Sequence, residues 1–308
     1  IDADGNWVYN VDNADVQYLA QNETKVETFT VASVDGTTHD IVITITGVND
    51  SAVISGDAIG AVTEDKSDPI LTDSGILTLT DTDSGETKFA PASVITPASA
   101  LGSLTIDADG NWVYNVDNAD VQYLAQDEAK VETFTVTSVD GTTHDIVITI
   151  TGVNDSAIIS GDAIGAVTED ATDPVLTDSG VLTLTDADTG EAKFDPASVV
   201  TPAGALGSLT IDANGNWVYN VDNADVQYLA QDETKTETFT VASVDGTTHD
   251  IVITITGVND SAVISGDAIG AVTEDENDPV LTDSGVLTLT DADTGEAKFD
   301  PASVVTPA

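Results

Sequence analysis

A single long period constrains this chain more than anything else in it. Ile-Asp-Ala-Asp/Asn-Gly-Asn-Trp-Val-Tyr-Asn begins at Ile1, Ile106 and Ile211, a spacing of 105 residues in a chain of 308. Repeats of roughly 20–50 residues cannot bury a core alone and stack into solenoids. A period near 100 is the size of a whole small domain. The chain therefore reads as tandem beads, each with its own core. Complete repeats are expected at 51–155 and 156–260. Residues 1–50 supply the C-terminal half of a repeat, and 261–308 the N-terminal half of another. With no methionine present, the sequence reads as an internal window of a longer chain.

Within each period the apolar residues alternate in strand fashion. Leu104 to Asn115 is a hairpin pattern with an Asp-Gly turn. Trp112, Tyr114 and Val116 share one face by the period of two. Thr133 to Asp140 puts Phe134 and Val136 inward. His144 to Thr151 puts Ile146, Ile148 and Ile150 on one face. Two short strand candidates follow Ala52, and Gly75 to Thr80 is another. Val121 and Leu124 form a helical turn or plug a loop. Pro91 to Pro97 reads as a loop, as do the tips at Lys66, Ala171 and Glu276, where Asp-Pro follows. About seven short strands per repeat and no sustained helix predict an all-β fold of tandem Ig-like or cadherin-like antiparallel β-sandwich domains in an extended string.

Charge narrows the function. There are 55 acidic residues against seven lysines, and the net charge is −48. Phosphate backbones need a basic surface, so nucleic acid is excluded as a partner. No apolar run is long enough to insert into a membrane. The self-repulsion must be offset, and divalent cations would do it; a surface kept soluble by its charge alone is the simpler alternative. Without cysteine there are no disulfides and no thiolate sites, which leaves metal as a staple for a secreted domain.

The acids recur in a pattern. Gly-Val-Asn-Asp-Ser-Ala closes a β-rich run at 47–52, 152–157 and 257–262, bringing Asn49 and Asp50, Asn154 and Asp155, Asn259 and Asp260. About thirty residues later comes Asp-x-Asp-x-Gly-Glu: Asp81, Asp83 and Glu86; Asp186, Asp188 and Glu191; Asp291, Asp293 and Glu296. In extended chain, Asp-x-Asp sets both side chains on one face. Asp35, Asp140 and Asp245 add a carboxylate at a Ser-Val-Asp-Gly turn. Glu64, Glu169 and Glu274 add one in Thr-Glu-Asp. Calcium takes six to eight hard oxygen ligands, and these residue types supply them. Solvated acidic turns are the plain alternative. The three histidines, His39, His144 and His249, occupy one repeated position, and no nucleophile–base pair accompanies them. An enzyme is not expected.

The run 31–52, with Asp-x-Asp-x-Gly-Glu and Asp-Gly-Asn-Trp-Val-Tyr, resembles the VCBS repeats of large bacterial RTX-type and biofilm adhesins. It is more distantly similar to cadherin domains through Asp-Gly, a strand and Asn-Asp, and through Asp-x-Asp-x-Gly. The resemblance implies a secreted, extracellular or cell-surface location. It implies calcium at each seam, with Asn49 and Asp50 meeting Asp81, Asp83 and Asp140. The next seam would join Asn154 and Asp155 to Asp186, Asp188 and Asp245, with Glu64 reaching down to it. Gly47, Gly152 and Gly257 stand where cadherin linkers carry aspartate, and serine follows Asn-Asp, which implies fewer or weaker ions. The implied role is a calcium-stiffened extender of an adhesin. Two alternatives are a fibre subunit that associates head-to-tail through the terminal halves, and a carbohydrate-binding module using Trp7, Trp112 and Trp217.

Overall fold

In the computed structural model the chain forms two compact units, Ile1–Asp155 and Ser156–Ala308. Residues 1–64, 67–169, 172–274, 276 and 278–306 are described. The tips at Lys66 and Ala171, and Asn277 in the third, lie outside them.

Unit 1 begins with a hairpin of β1 (Thr24–Ala32) and β2 (Thr38–Thr46). Seven strands follow: β3 (Val53–Gly56), β4 (Ile59–Thr63), β5 (Ile70–Thr80), β6 (Ser103–Ile106), β7 (Asn111–Asp117), β8 (Ala129–Thr137) and β9 (Thr143–Thr151). They form two sheets, ordered β3-β5-β7-β6 and β4-β9-β8. All pairs are antiparallel except β4·β9, which is parallel. Each sheet turns its apolar face inward. Leu77, Trp112 and Tyr114 meet Phe134, Val136, Ile146, Ile148 and Ile150 across the sandwich, all essentially fully buried. Each such side chain contributes about 1.5–3 kcal/mol by leaving water.

Polar groups in this core are paired, as burial requires. The Trp112 Nε1–H donates to the Asp57 carbonyl at 2.7 Å. The buried Glu132 carboxylate accepts from the Tyr114 hydroxyl at 2.9 Å and from the Leu101 N–H at 2.6 Å. Burial, and then the Glu132 carboxylate, push the Tyr114 phenol far above its ordinary range. Helical geometry among the described residues is confined to single 3-10 turns. The turn Asn118–Asp120 delivers Val121 and Leu124 into the core as plugs. The Pro91–Pro97 stretch is more than a loop. It holds a 3-10 turn, and Ile95 bridges Thr135 at the edge of β8.

Unit 2 repeats the seven-strand plan with β10 (Ile158–Gly161), β11 (Ile164–Thr168), β12 (Val175–Thr185), β13 (Ser208–Ile211), β14 (Asn216–Asp222), β15 (Thr234–Ala242) and β16 (Thr248–Thr256). The sheets are β10-β12-β14-β13 and β11-β16-β15. It ends with the short pair β17 (Val263–Gly266) and β18 (Leu287–Thr290).

Candidate metal centres

The predicted acids gather where one sandwich ends and the next set of strands begins. In unit 1 the linker runs from Gly47 to Ala52. A Cβ on Gly47 would sit 2.2 Å from the Leu19 carbonyl oxygen, so the linker lies flat on the loop before it. The Asp50 N–H donates to Asp83 Oδ2 at 2.8 Å, and the Ala52 N–H to Asp140 Oδ2 at 3.0 Å. Ser84 N–H reaches the Tyr18 carbonyl at 2.9 Å. Asp81 and Asp83 are not on extended chain as the sequence suggests. The backbone turns after β5, and Asp81 Oδ1 accepts the Asp83 N–H at 2.9 Å. That turn folds the second carboxylate under the linker.

Several oxygens there have been stripped of water without receiving a proton donor. Asp81 Oδ2, Asp83 Oδ1 and Glu86 Oε2 are buried with no hydrogen-bond partner. Burial raises the Glu86 carboxyl, and the charges of Asp83, Asp81 and Asp140 raise it further. Asp140 behaves oppositely. Burial pulls it up, but the Ser138 and Thr142 hydroxyls and the Ala52 and Thr142 N–H groups outweigh this and hold it well below the usual carboxylate range.

The same arrangement closes unit 2. The Asp260 N–H donates to Asp293 Oδ2 at 2.9 Å, and Asp293 N–H to Asp291 Oδ1 at 3.0 Å. Thr294 N–H meets the Tyr228 carbonyl at 3.0 Å. Here Glu169, the residue after β11, lies at the linker end of the sandwich, because β11 runs parallel to β16 and the Glu169 N–H bonds the Thr256 carbonyl. It accepts from Gln227 Nε2 at 2.9 Å and from the Val258 N–H. One carboxylate oxygen from each of Glu169, Asp260 and Asp293 lies within 4.8 Å of the others. Burial raises Glu169, the Val258 N–H lowers it, and the charges of Asp260 and Asp293 raise it again. Asp260 Oδ2 and Asp293 Oδ1 are buried without partners. Like charges about 4 Å apart repel by about 4 kcal/mol at an effective dielectric near 20. A shell of hard oxygens, crowded, desolvated and short of protons, suits a divalent cation with oxygen ligands.

The remaining predicted residues divide. In unit 1, Glu64 accepts from Gln122 and from the Val153 N–H, just before Asn154 and Asp155 at the end of that unit. In unit 2, Asp186, Asp188 and Asp245 raise the Glu191 carboxyl, after burial. Glu191 Oε2 is buried and unpartnered. Asn49, Asn154 and Asn259 each donate from Nδ2 to the carbonyl of the next aspartate, stiffening the linker. Asp35 is exposed and caps its own turn, accepting from Ser33 and from the Thr37 N–H. Outside the predicted set, Asp127 and Glu128 serve their local turn before β8. Sequence reasoning missed Gln122 and Gln227, which orient the glutamates, and the Tyr18 and Tyr228 carbonyls. Their one signal is the recurrence of Asp-Val-Gln-Tyr-Leu at fixed distance from the linker. Trp112 and Trp217 are buried with Nε1 committed to a carbonyl, which removes both as sugar-stacking platforms.

The sequence matches the bacterial cadherin-like domain over residues 49–152 and again over 154–257, well over half of the chain. The chain belongs to that family. Bacterial cadherin-like domains are structural rather than enzymatic. No curated protein matches it. Among solved structures, the protocadherin gamma B2 cadherin domains are similar at 16% identity and a TM-score of 0.39, over 93% of this chain and 55% of theirs. Human desmocollin-1 is similar at 12% identity and 0.33, over 86% and 51%. A Ca2+-stabilised adhesin with which an Antarctic bacterium reaches out and binds ice is similar at 21% and 0.25, over 87% and 64%. The chain spans about half the length of the protocadherin and desmocollin chains. At these identities and scores, family membership rests on the sequence match. No helix among the described residues is long and apolar enough to cross a membrane.

Proposed function

We propose that this chain is part of a calcium-stiffened extender in a large secreted bacterial surface adhesin, of the kind built from VCBS-type repeats. Its cadherin-like beads are 51–155 and 156–260, flanked by the half-repeats 1–50 and 261–308. The observation that carries this reading is the set of buried, partnerless carboxylate oxygens beside each linker described above. Asp50, Asp81, Asp83, Glu86 and Asp140 would hold calcium at one seam. Glu169, Asp260, Asp291 and Asp293 would hold it at another; Glu64 and Asp155 in unit 1, and Asp186, Asp188, Glu191 and Asp245 in unit 2, are further candidate ligands. Bound calcium supplies positive charge that cancels the crowding of carboxylates. The chain's own residues supply the rest. Backbone N–H groups of Asp50 and Asp260 fix the linker to the Asp-x-Asp turn, and Gln122 and Gln227 aim the glutamates. A seam so tied resists bending, so a binding tip is held away from the cell in adhesion or biofilm formation.

Calorimetric titration of the 308-residue chain with calcium tests this. Saturable binding that weakens with Asp83→Asn and Asp293→Asn is expected; absence of binding would reject it.

A further inference from the structure

A spacer is pulled at its two ends, so the joint between its first and last strands decides what load it bears. In unit 1 the chain enters the sandwich through β3 and β4 and leaves through β9. The strands β4 and β9 lie side by side and point the same way, with Ile59 opposite Val147, Gly60 opposite Ile148 and so on to Thr63 opposite Thr151. We propose that this parallel ladder, and its copy β11·β16 in unit 2, is a metal-independent clamp that carries tension through each repeat.

The argument is geometric. Tension drags β4 toward its own N-terminal end and β9 toward its C-terminal end. In a parallel pair those pulls slide the strands lengthwise, and every rung is loaded at once. A hairpin such as β8·β9, pulled at its open end, yields one rung at a time. Both ends of the ladder are closed. The Val147 N–H donates to the Ala58 carbonyl at 2.9 Å, and the Glu64 N–H donates to the Thr151 carbonyl at 2.9 Å. The strand is also held sideways. The Ala61 N–H, on the edge away from β9, is taken by Asp73 Oδ2 at 2.7 Å. The bend between β3 and β4 is pinned by Trp112 on the Asp57 carbonyl. Gly60 is pressed so close to the core that a Cβ would come within 2.5 Å of Ile148 Cδ1. Unit 2 reproduces each feature: Val252 N–H to Ala163 and Glu169 N–H to Thr256, both at 2.9 Å, and Ala166 N–H to Asp178 at 2.7 Å.

The extender reading supplies only the origin of the load; the clamp itself is a property of the sandwich. Single-molecule force spectroscopy on the 308-residue chain tests it, in excess chelator and again in excess calcium. The parent is pulled by its termini, which shears both ladders. A Thr63→Cys, Thr151→Cys variant is pulled through its two thiols, the only ones in the chain. These residues face each other at one end of the ladder, so that pull unzips it. Thr168→Cys with Thr256→Cys does the same in unit 2 and serves if the first pair misfolds. Terminal pulling should need at least about twofold more force than unzipping, because rungs break together rather than in turn. Equal forces in the two directions would overturn the clamp. So would a terminal unfolding force that appears only with calcium, an outcome that leaves the stiffening of the seams intact. Calcium-independent dimensions with a strong ladder would do the reverse.

Discussion

Residues 1–50 and 106–155 have nearly the same sequence and opposite fates. Trp112 is 1% exposed and Trp7 is 49%; Phe134 is 0% exposed and Phe29 is 46%. Both stretches form the same hairpin, in the same register: Phe29 faces Ile41 as Phe134 faces Ile146. What differs is the cover. In 51–155 the sheet β3-β5-β7-β6 closes over the apolar face of the β8·β9 hairpin. The other end teaches the converse. Residues 158–185 form three strands, whereas in the near-copy 263–290 only β17 and β18 pair, and Ile269–Thr273 is not a strand. Alternation says which face is apolar. Burial, and for short segments the strand itself, comes from the neighbour it pairs with.

The largest test of this contrast is truncation of the aromatic anchor. Phe134→Ala should cost about 3–5 kcal/mol in chemical denaturation, and Phe29→Ala under about 1 kcal/mol. Equal costs would mean the face of 1–50 is covered in solution. Next is the buried glutamate. Glu132→Ala strands the Tyr114 hydroxyl and the Leu101 N–H and should cost about 2 kcal/mol. Glu27, part-exposed and paired with Lys25 at 3.2 Å, should cost under about 1 kcal/mol when truncated.

A close-packed glycine gives a smaller effect. A Cβ at Gly75 would meet the Trp112 ring at 2.6 Å, while at Gly285 the nearest atom is 3.0 Å away. Gly75→Ala should lose about 1–3 kcal/mol, and Gly285→Ala less, because its neighbours need give by only a few tenths of an ångström.

The smallest effect is one of pH. The Asp245 carboxyl, raised by burial but lowered more by Ser243, Thr247 and the Ala157 N–H, sits at about 2. Its contribution is therefore complete above the ordinary aspartate value near 4 and is lost as pH falls through about 2. Asp245→Asn should flatten that acid limb in denaturation curves of the 308-residue chain. Asp35→Asn, at an exposed turn, should change it less.

The strands were legible because identity and alternation coincide. Trp112, Tyr114 and Val116 point inward as their spacing demands, and the Asp-Gly turn sits at Gly110 with φ +89°. The parallel placement of β4 was not legible, because Ile59–Thr63 is five residues long and its pattern is silent about its partner's direction. At the candidate metal centres, Asp-x-Asp and Asn-Asp could be read as groups that meet, since both recur at fixed spacing. The turn that bends Asp81 onto the Asp83 N–H could not, nor could Gln122 and Gln227, because their roles depend on loops folding back across the sequence. Asp35 shows the limit of reading by repeat. It shares its motif with Asp140 and Asp245, yet those two receive an alanine N–H from the linker that opens their own repeat, and Asp35 caps its own turn alone.

Small-angle scattering of the 308-residue chain, with calcium in excess and then with chelator, is the most direct test of the stiffened string. The account predicts a maximum dimension that shrinks and a distribution of distances that broadens when calcium is removed. An identical profile in both conditions would contradict it.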